Sequence, residues 1–211
     1  MLAGHYSAAF LAKAASRRVP LWSLVLAVQL VDVAWGIFVL AGVEHVRFDE
    51  SLPSNPLDLY YIPYSHSLPS TLLLGIGVFL AARAWLREIR PALVLALAAT
   101  SHWLLDFLVH RPDLPLWGNS HPVGLALWNQ PVTTFLLELG LLLGCAAVLV
   151  RSTALPRASR TPFFWLLGFL VVFHAGSLFA PTPPGPATLV VSALALYLVA
   201  VVLARRVDTA A

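Results

Sequence analysis

Cysteine and charge are the two scarcest features of this 211-residue chain. Cys145 is the single cysteine, so no disulfide can form within the chain and a disulfide-stapled fold is excluded. Charged residues make up 11% of the sequence, whereas a soluble globular domain carries about 25%. So little charge cannot cover a water-facing surface. Intrinsic disorder is excluded as well, because it requires low hydrophobicity and a high net charge.

Apolar residues are abundant, at 59% of the sequence and with a mean hydropathy of +0.82. The formal net charge of +3 could indicate a nucleic-acid partner. In a membrane protein, however, an excess of Lys and Arg is the expected signal of topology. We therefore predict a polytopic membrane protein whose partners are membrane lipids, with no nucleic acid among them.

The apolar residues fall into stretches long enough to cross a bilayer, for which a helix needs about 20 mostly apolar residues. We predict an all-α bundle of six transmembrane helices, at 20–42, 68–85, 91–109, 131–150, 162–180 and 187–204. Eleven basic residues fall on one side of these spans, while Arg47 and Arg111 fall on the other. Because Lys and Arg concentrate in cytoplasmic loops, both termini are predicted to be cytoplasmic.

The chain outside the spans is short. Residues 1–19 are predicted as a cytoplasmic interfacial segment with a loosely amphipathic helix, in which His5 is expected to be incidental. Residues 20–204 form the single six-helix domain, and 205–211 a cytoplasmic tail. The outer loops 43–67 and 110–130 are rich in proline and aromatic residues, which favours ordered caps over flexible linkers.

Ionisable residues inside the predicted spans are the unusual feature of the sequence: Asp32, His102, Asp106, Glu138 and His174. An Asp at the centre of a transmembrane helix costs about 2.5–3.5 kcal/mol on insertion scales. Counting ~1.5 Å per residue places all five in the outer half of the bilayer. Any one of them alone could be a structural hydrogen-bonding residue. Together, on four helices at similar depth, they indicate a functional site.

The segment 101–110 predicts a metal site. His102 and Asp106 are four residues apart and project from one helix face, with nitrogen and oxygen donors suited to one ion. His110 lies about 12 Å from His102 along the helix axis, so we expect that one ion cannot bind all three. Either Asp106 bridges two metals, or His110 works in the headgroup region. His66, at the outer mouth of the second span, is the expected third ligand.

Two short segments resemble a known family. Residues 65–68 read Ser-His-Ser-Leu and residues 101–106 read Ser-His-x-x-x-Asp. They are similar to the signature of the YdjM-like inner-membrane proteins, a family of metal-dependent hydrolases with a Thr-His-Ser-Leu element and a His-x-x-x-Asp helix. The resemblance covers residues 64–110, about a fifth of the chain.

The resemblance implies His66, His102 and Asp106 as metal ligands, zinc as the metal, and a multi-pass location in the bacterial cytoplasmic (inner) membrane. This chain lacks the family's Gly-His-Arg-Gly run before the first motif. It also lacks the upstream Asp-x-Asp-His element, for which Asp32 or Glu44 would have to substitute.

The first functional hypothesis is a metal-dependent hydrolase that acts on a lipid-like ester or phosphoester, with one or two divalent ions as cofactor. The expected metal ligands are His66, His102, Asp106 and His110. The expected catalytic residues, as general base or orienting group, are Glu138 and Asp32. Substrate binding or support of the ligands is expected from His174, Arg111 and Glu44.

Two alternatives remain open. In a proton- or ion-coupled transporter, Asp32, Glu138, His102 and His174 would relay protons. Transporters of this kind have broken helices, and the sequence shows only weak signals for a break, such as Gly75-Ile-Gly77. In a haem-binding redox protein, His102 and His174 would be the axial ligands. The carboxylates at the same depth argue against an apolar porphyrin pocket.

Overall fold

The computed structural model describes residues 1–152 and 154–210, and most of them are helical. Several helices have a proline in their first turn, where the missing N–H costs nothing because that position has no intrahelical partner. The helices are α1 Gly4–Ala15, α2 Leu21–Ala27, α3 Leu30–Leu40, α4 Pro63–His66, α5 Leu68–Leu86, α6 Ile89–Val109, α7 Pro131–Arg151, α8 Arg160–Ser177 and α9 Pro186–Thr209.

Within the described residues, four helices are long and apolar enough to cross a membrane, namely α5, α6, α7 and α9. The pair α2 and α3 makes a fifth span if it is counted as one, although it is bent by 49°. The helix α8, with eighteen residues, falls short because it includes Arg160 and His174. By length and composition, the described part of the chain therefore has four or five helices that could span a membrane, which indicates a helical membrane protein.

The break in the first span lies at residues 28–29, whereas α5 runs unbroken through Gly75 and Gly77. The Gln29 N–H bonds the Leu26 carbonyl at 3.0 Å, which is the tighter pattern of a helix end. Because α3 starts afresh at Leu30, Asp32 falls in its first turn. A carboxylate there is stabilised by the positive end of the helix dipole.

The two outer loops are ordered, but the expectation of an all-α fold is wrong for them. Strand β1 (His45–Phe48) pairs antiparallel with β2 (Leu57–Tyr61), and β3 (Leu114–Trp117) with β4 (Ser120–Val123). Gly118 begins the two-residue turn between β3 and β4 with a φ of 55°, which favours glycine. Short β-hairpins satisfy their backbone groups over few residues, so they fit between helix ends.

The N-terminal helix α1 is buried in the bundle, not at the membrane interface as expected. Tyr6 and Phe10 are almost fully buried, and α1 packs against α2, α6 and α7. Interfacial helices need a strongly polar face. Lys13 is the single charged side chain among the twelve residues of α1 and is itself buried, so α1 presents no such face.

The end of the bundle where α1 ends is tied together by ionic contacts, and we call it the basic end. Lys13 Nζ donates to the Val19 carbonyl at 2.8 Å and lies 3.8 Å from Asp208 on α9. The Asp208 carboxylate also accepts the N–H groups of Leu21 and Trp22 at 2.9 and 3.0 Å, which caps α2. The first and last helices are thus joined directly.

Gly75 allows α5 and α6 to pack closely. A Cβ added there would lie 2.3 Å from Thr100 Cγ2, while one added at Gly77 meets no described atom within 4 Å. The Thr100 hydroxyl donates to the Ala96 carbonyl at 3.1 Å, which holds its side chain in place. Small residues at such positions let transmembrane helices approach each other.

We expect Gly75→Ile to destabilise the protein by about 1–3 kcal/mol, because the added atoms must displace Thr100 or separate the helices. The matched variant Gly77→Ile, on the same helix, should leave stability unchanged. The measurement is the thermal unfolding midpoint of detergent-purified protein, followed by size-exclusion chromatography. Equal midpoints for the two variants would contradict the close approach of α5 and α6.

Candidate metal centre

Three histidines converge on one carboxylate oxygen inside the bundle. His66 ends α4, His102 lies within α6, and His110 follows the last residue of α6. Their Nε2 atoms lie 3.7, 3.1 and 3.7 Å, respectively, from Asp106 Oδ2. All four side chains are buried. The structure therefore brings together the residues that the sequence pattern predicts as metal ligands.

Asp32 faces the same histidines. Its Oδ1 lies 3.5 Å from His66 Nε2 and 3.6 Å from His102 Nε2. The Tyr197 hydroxyl of α9 donates to its other oxygen at 2.9 Å. The Asp32 side chain is 14% exposed and that of Asp106 is 2% exposed, so Asp32 is the more accessible of the two carboxylates.

The Nδ1 atoms of two histidines, which point away from the carboxylates, donate hydrogen bonds to other groups. His102 Nδ1 donates to the Val28 carbonyl at 2.7 Å, at the break between α2 and α3. His110 Nδ1 donates to the Asp113 carboxylate at 2.8 Å. In a neutral imidazole, a proton on Nδ1 leaves a lone pair on Nε2. Metal-ligating histidines are oriented by this kind of outer bond.

The third histidine is held by Glu44. This carboxylate accepts the N–H groups of Tyr64 and Ser65 at 2.8 Å each, and the Ser65 hydroxyl at 2.6 Å. Since Ser65 gives its proton to Glu44, its oxygen accepts from His66 Nδ1 at 2.7 Å. Glu44 thereby fixes the ring of His66, and this geometry fits the supporting role predicted for it.

In their neutral forms the three imidazoles direct Nε2 lone pairs at the carboxylate oxygens of Asp32 and Asp106, so that acceptors face acceptors. His102 Nε2 has no hydrogen-bond partner among the described residues. Unpaired buried polar groups are costly, and buried carboxylates more so. One divalent cation would give the Nε2 atoms and the carboxylate oxygens a common partner. Ligand atoms of His66, His102 and Asp106 lie within 4.8 Å of one another, so this buried group could hold a metal ion.

His5 joins this group, and the expectation that it is incidental is wrong. It is fully buried, its Nε2 lies 3.2 Å from Asp106 Oδ1, and its ring stacks on that of His102 with centroids 3.7 Å apart. The Met1 nitrogen contacts the same Asp106 oxygen. No local sequence pattern marked this residue, because its contacts depend on where α1 packs in the bundle.

Glu138 lies at the N-terminus of α1. Its Oε2 accepts the N–H groups of Leu2, Ala3 and Gly4 at 2.8, 2.8 and 3.0 Å. The start of a helix is a natural anion site, because its first N–H groups have no intrahelical partner. Glu138 therefore anchors α1 within the bundle, and its catalytic role stays a prediction.

His174 and Arg111 are engaged elsewhere. His174 Nε2 bonds the Phe135 carbonyl at 3.2 Å and its ring stacks on Phe135, which joins α8 to α7. Arg111 is bound by the outer loops, where its nitrogens donate to Pro53 O, Asn55 O, Leu57 O and Asn129 Oδ1 at 2.7, 2.6, 3.3 and 2.8 Å. These contacts give both residues structural partners, and their substrate-binding roles stay predictions.

The backbone after β4 packs directly on the peptide of His110. The Ala126 N–H donates to the His110 carbonyl at 2.7 Å. Gly124 has a φ of 150°, and a Cβ there would lie 2.4 Å from the His110 carbonyl oxygen and 2.2 Å from that of Arg111. Because α6 ends at Val109, the His110 ring turns back toward Asp106, so His102 and His110 reach the same oxygen despite their separation along the axis.

No protein-family model matches this chain, and neither a curated protein nor a solved structure matches it. The resemblance to the YdjM-like family therefore stays an expectation based on two short segments.

We expect Gly124→Ala to weaken zinc binding about tenfold or more, the usual effect of disturbing the groups behind a metal ligand. The added methyl group must push the outer loop away from His110. Gly118→Ala is the matched control, since it also replaces a glycine of positive φ but meets no described atom within 4 Å. Zinc affinity is measured by competition with a chromogenic chelator. Equal affinities would show that the position of His110 does not matter for the metal.

Proposed function

We propose that this chain is an integral-membrane metal-dependent hydrolase whose active site lies in the outer half of the bilayer. The single observation that carries the proposal is the convergence of three imidazole Nε2 atoms on the buried carboxylate of Asp106, with each ring oriented from behind by an acceptor. Such a centre is preorganised for a cation. The proposed location is the bacterial inner membrane.

The proposed topology has six spans and both termini in the cytoplasm. The helix α8 would be the sixth span, because it packs against both α7 and α9, two of the clear spans. Arg18 pairs with Glu88, and Lys13 lies beside Asp208, so three connected segments meet at the basic end. An excess of basic residues at one end supports a cytoplasmic position for that end.

Zinc is the metal that the donor set fits best. Imidazole nitrogens and a carboxylate oxygen are typical ligands of catalytic zinc, which keeps one position open beside three protein ligands. His66, His102 and Asp106 would hold the ion, with His110 beside it. A bound zinc ion would polarise an ester or phosphoester oxygen and lower the pKa of its water to about 7.

Asp32 is the proposed general base. Its carboxylate lies next to the same two imidazoles as Asp106 but is more exposed, so it can reach a water molecule and accept its proton. The hydroxyl of Tyr197 holds one oxygen and leaves the other directed at the centre. Asp106, almost fully buried, is better suited to bind the metal than to exchange protons with water.

The proposed substrate is a lipid-like ester or phosphoester. An active site in the outer half of the bilayer favours a substrate whose apolar part enters from the lipid. Tyr60, Tyr64 and Trp117 are exposed on the outer loops, and amphipathic aromatic rings of this kind lie at the headgroup level of membranes. They would place the outer loops against the lipid surface from which such a substrate comes.

A proton- or ion-coupled transporter is the second candidate. The observation that favours it is the break at residues 28–29, since transporters bind ions where a transmembrane helix is interrupted. Gln29 at that break is buried, and its side-chain amide has no hydrogen-bond partner in residues 1–152 and 154–210. Asp32, four positions beyond Val28, would be the coupling carboxylate.

We expect detergent-purified protein to contain about one or two equivalents of zinc per chain, as hydrolytic sites of this type do. The double variant His102→Ala/Asp106→Ala should lose the metal, because both groups are ligands. His121→Ala, which removes an exposed histidine of the outer loops, should retain it. Elemental mass spectrometry measures the content. Intact protein that was never exposed to chelator and holds no metal would contradict the proposal.

We expect His102→Ala to lower hydrolysis by about a thousandfold or more, because the bound metal is lost with its ligand. The zinc-loaded protein is reconstituted in anionic phospholipid vesicles, and released headgroups and fatty acids are followed by mass spectrometry. Turnover in His102→Ala equal to that of the wild type would rule out the hydrolase. Proton-gradient-driven uptake that Asp32→Asn abolishes would favour the transporter.

A further inference from the structure

The two carboxylate oxygens of Asp106 contact different residues. Oδ2 faces the Nε2 atoms of His66, His102 and His110, whereas Oδ1 faces α1, where His5 Nε2 lies 3.2 Å away. The contact of the Met1 nitrogen with Oδ1 leaves room for a further partner, since a carboxylate oxygen has two lone pairs. A carboxylate used from both sides is typical of a bridging ligand.

His5 lacks the partners that a buried structural histidine needs. It is fully buried, and neither ring nitrogen makes a hydrogen bond within the described part of the chain. Its ring lies parallel to that of His102, with an interplanar angle of 7°. A cation bound at Nε2, next to the Oδ1 atom of Asp106, would give this ring the partner that it lacks.

The ligands for such a cation are in place. Ring nitrogens of His5 and His102 and a carboxylate oxygen of Asp32 lie within 4.8 Å of one another. His102 can give its Nε2 to one ion only, because its Nδ1 is bonded to the Val28 carbonyl. With the first ion on His66 and His102, a second ion would be bound by His5 and the Oδ1 atom of Asp106, with Asp32 beside it.

We propose that His5 and Asp106 form a second divalent-cation position beside Asp32, with Asp106 bridging the two ions. The inference rests on the proposed function, since the first ion is the one argued there. Nitrogen and carboxylate donors suit zinc or manganese. Glu138, which binds the start of α1 next to this position, adds a third carboxylate to offset the charge of the second ion. The helix α1 is then part of the active site.

The test is the zinc stoichiometry of the full chain in detergent. Protein stripped of metal is loaded with zinc chloride, dialysed and analysed by elemental mass spectrometry. The wild type should hold about two ions and His5→Gln about one. His174→Gln is the matched control, a buried histidine whose ring contacts Phe135 and not the carboxylates, and it should hold the wild-type number.

The outcomes separate this inference from the proposed function. One ion in both the wild type and His5→Gln would overturn the second position and leave the hydrolase proposal standing. Two ions in both proteins would overturn the role of His5. A wild type without metal would overturn both proposals.

A measurement on the wild type alone covers the case in which His5→Gln does not fold. Manganese is titrated into the stripped protein and followed by electron paramagnetic resonance. A bridged pair of ions is magnetically coupled, so a multiline spectrum at the second equivalent is expected. A spectrum of isolated manganese ions at every ratio would overturn the bridged pair.

Discussion

Two carboxylates inside an apolar helix bundle need compensating positive charge, and the interior of this protein is organised around that requirement. Asp32 and Asp106 are brought to the same imidazoles by different helices. Even after relaxation, a buried ion costs several kcal/mol unless it is paired. When His102 and His110 are neutral, their Nδ1 protons are donated to acceptors and their Nε2 lone pairs face the carboxylates, so these rings supply no charge. The proposed cation would supply the missing positive charge.

Three interruptions of the helical backbone lie next to this centre. The break between α2 and α3 leaves the Val28 carbonyl free to accept from His102, and it puts Asp32 in a first helical turn. The single turn of α4 positions His66, and the end of α6 releases His110 from the helix. Inside a membrane, interrupted backbone is tolerated only where protein groups satisfy it. Here His102, Glu44 and the Ala126 N–H bond the backbone groups that the interruptions leave free, so the interruptions lie beside these residues.

Local patterns predicted the class of protein and the core of the site, and long-range packing decided the rest. The i, i+4 spacing of His102 and Asp106 is a property of one helix, so it could be recognised in the sequence. The burial of α1 depends on Glu138, which lies 135 positions from the Ala3 N–H that it binds, and no periodicity reports such a contact. The same is true of the break at residues 28–29, where the sequence has neither proline nor glycine. His5 was missed for the same reason, since its role follows from where α1 packs.

The hydrogen bonds behind the imidazoles also bear on the choice between hydrolysis and transport. A histidine in a proton relay must take up a proton on one nitrogen and release one from the other. His102 cannot do this in the observed arrangement, because its Nδ1 faces the Val28 carbonyl, which accepts a hydrogen bond but does not take the proton. The imidazole of His102 therefore cannot pass a proton on through Nδ1, and its Nε2 has the orientation that a metal ligand requires. For this reason the geometry of His102, more than the depth of the cluster, favours a fixed metal centre over a relay.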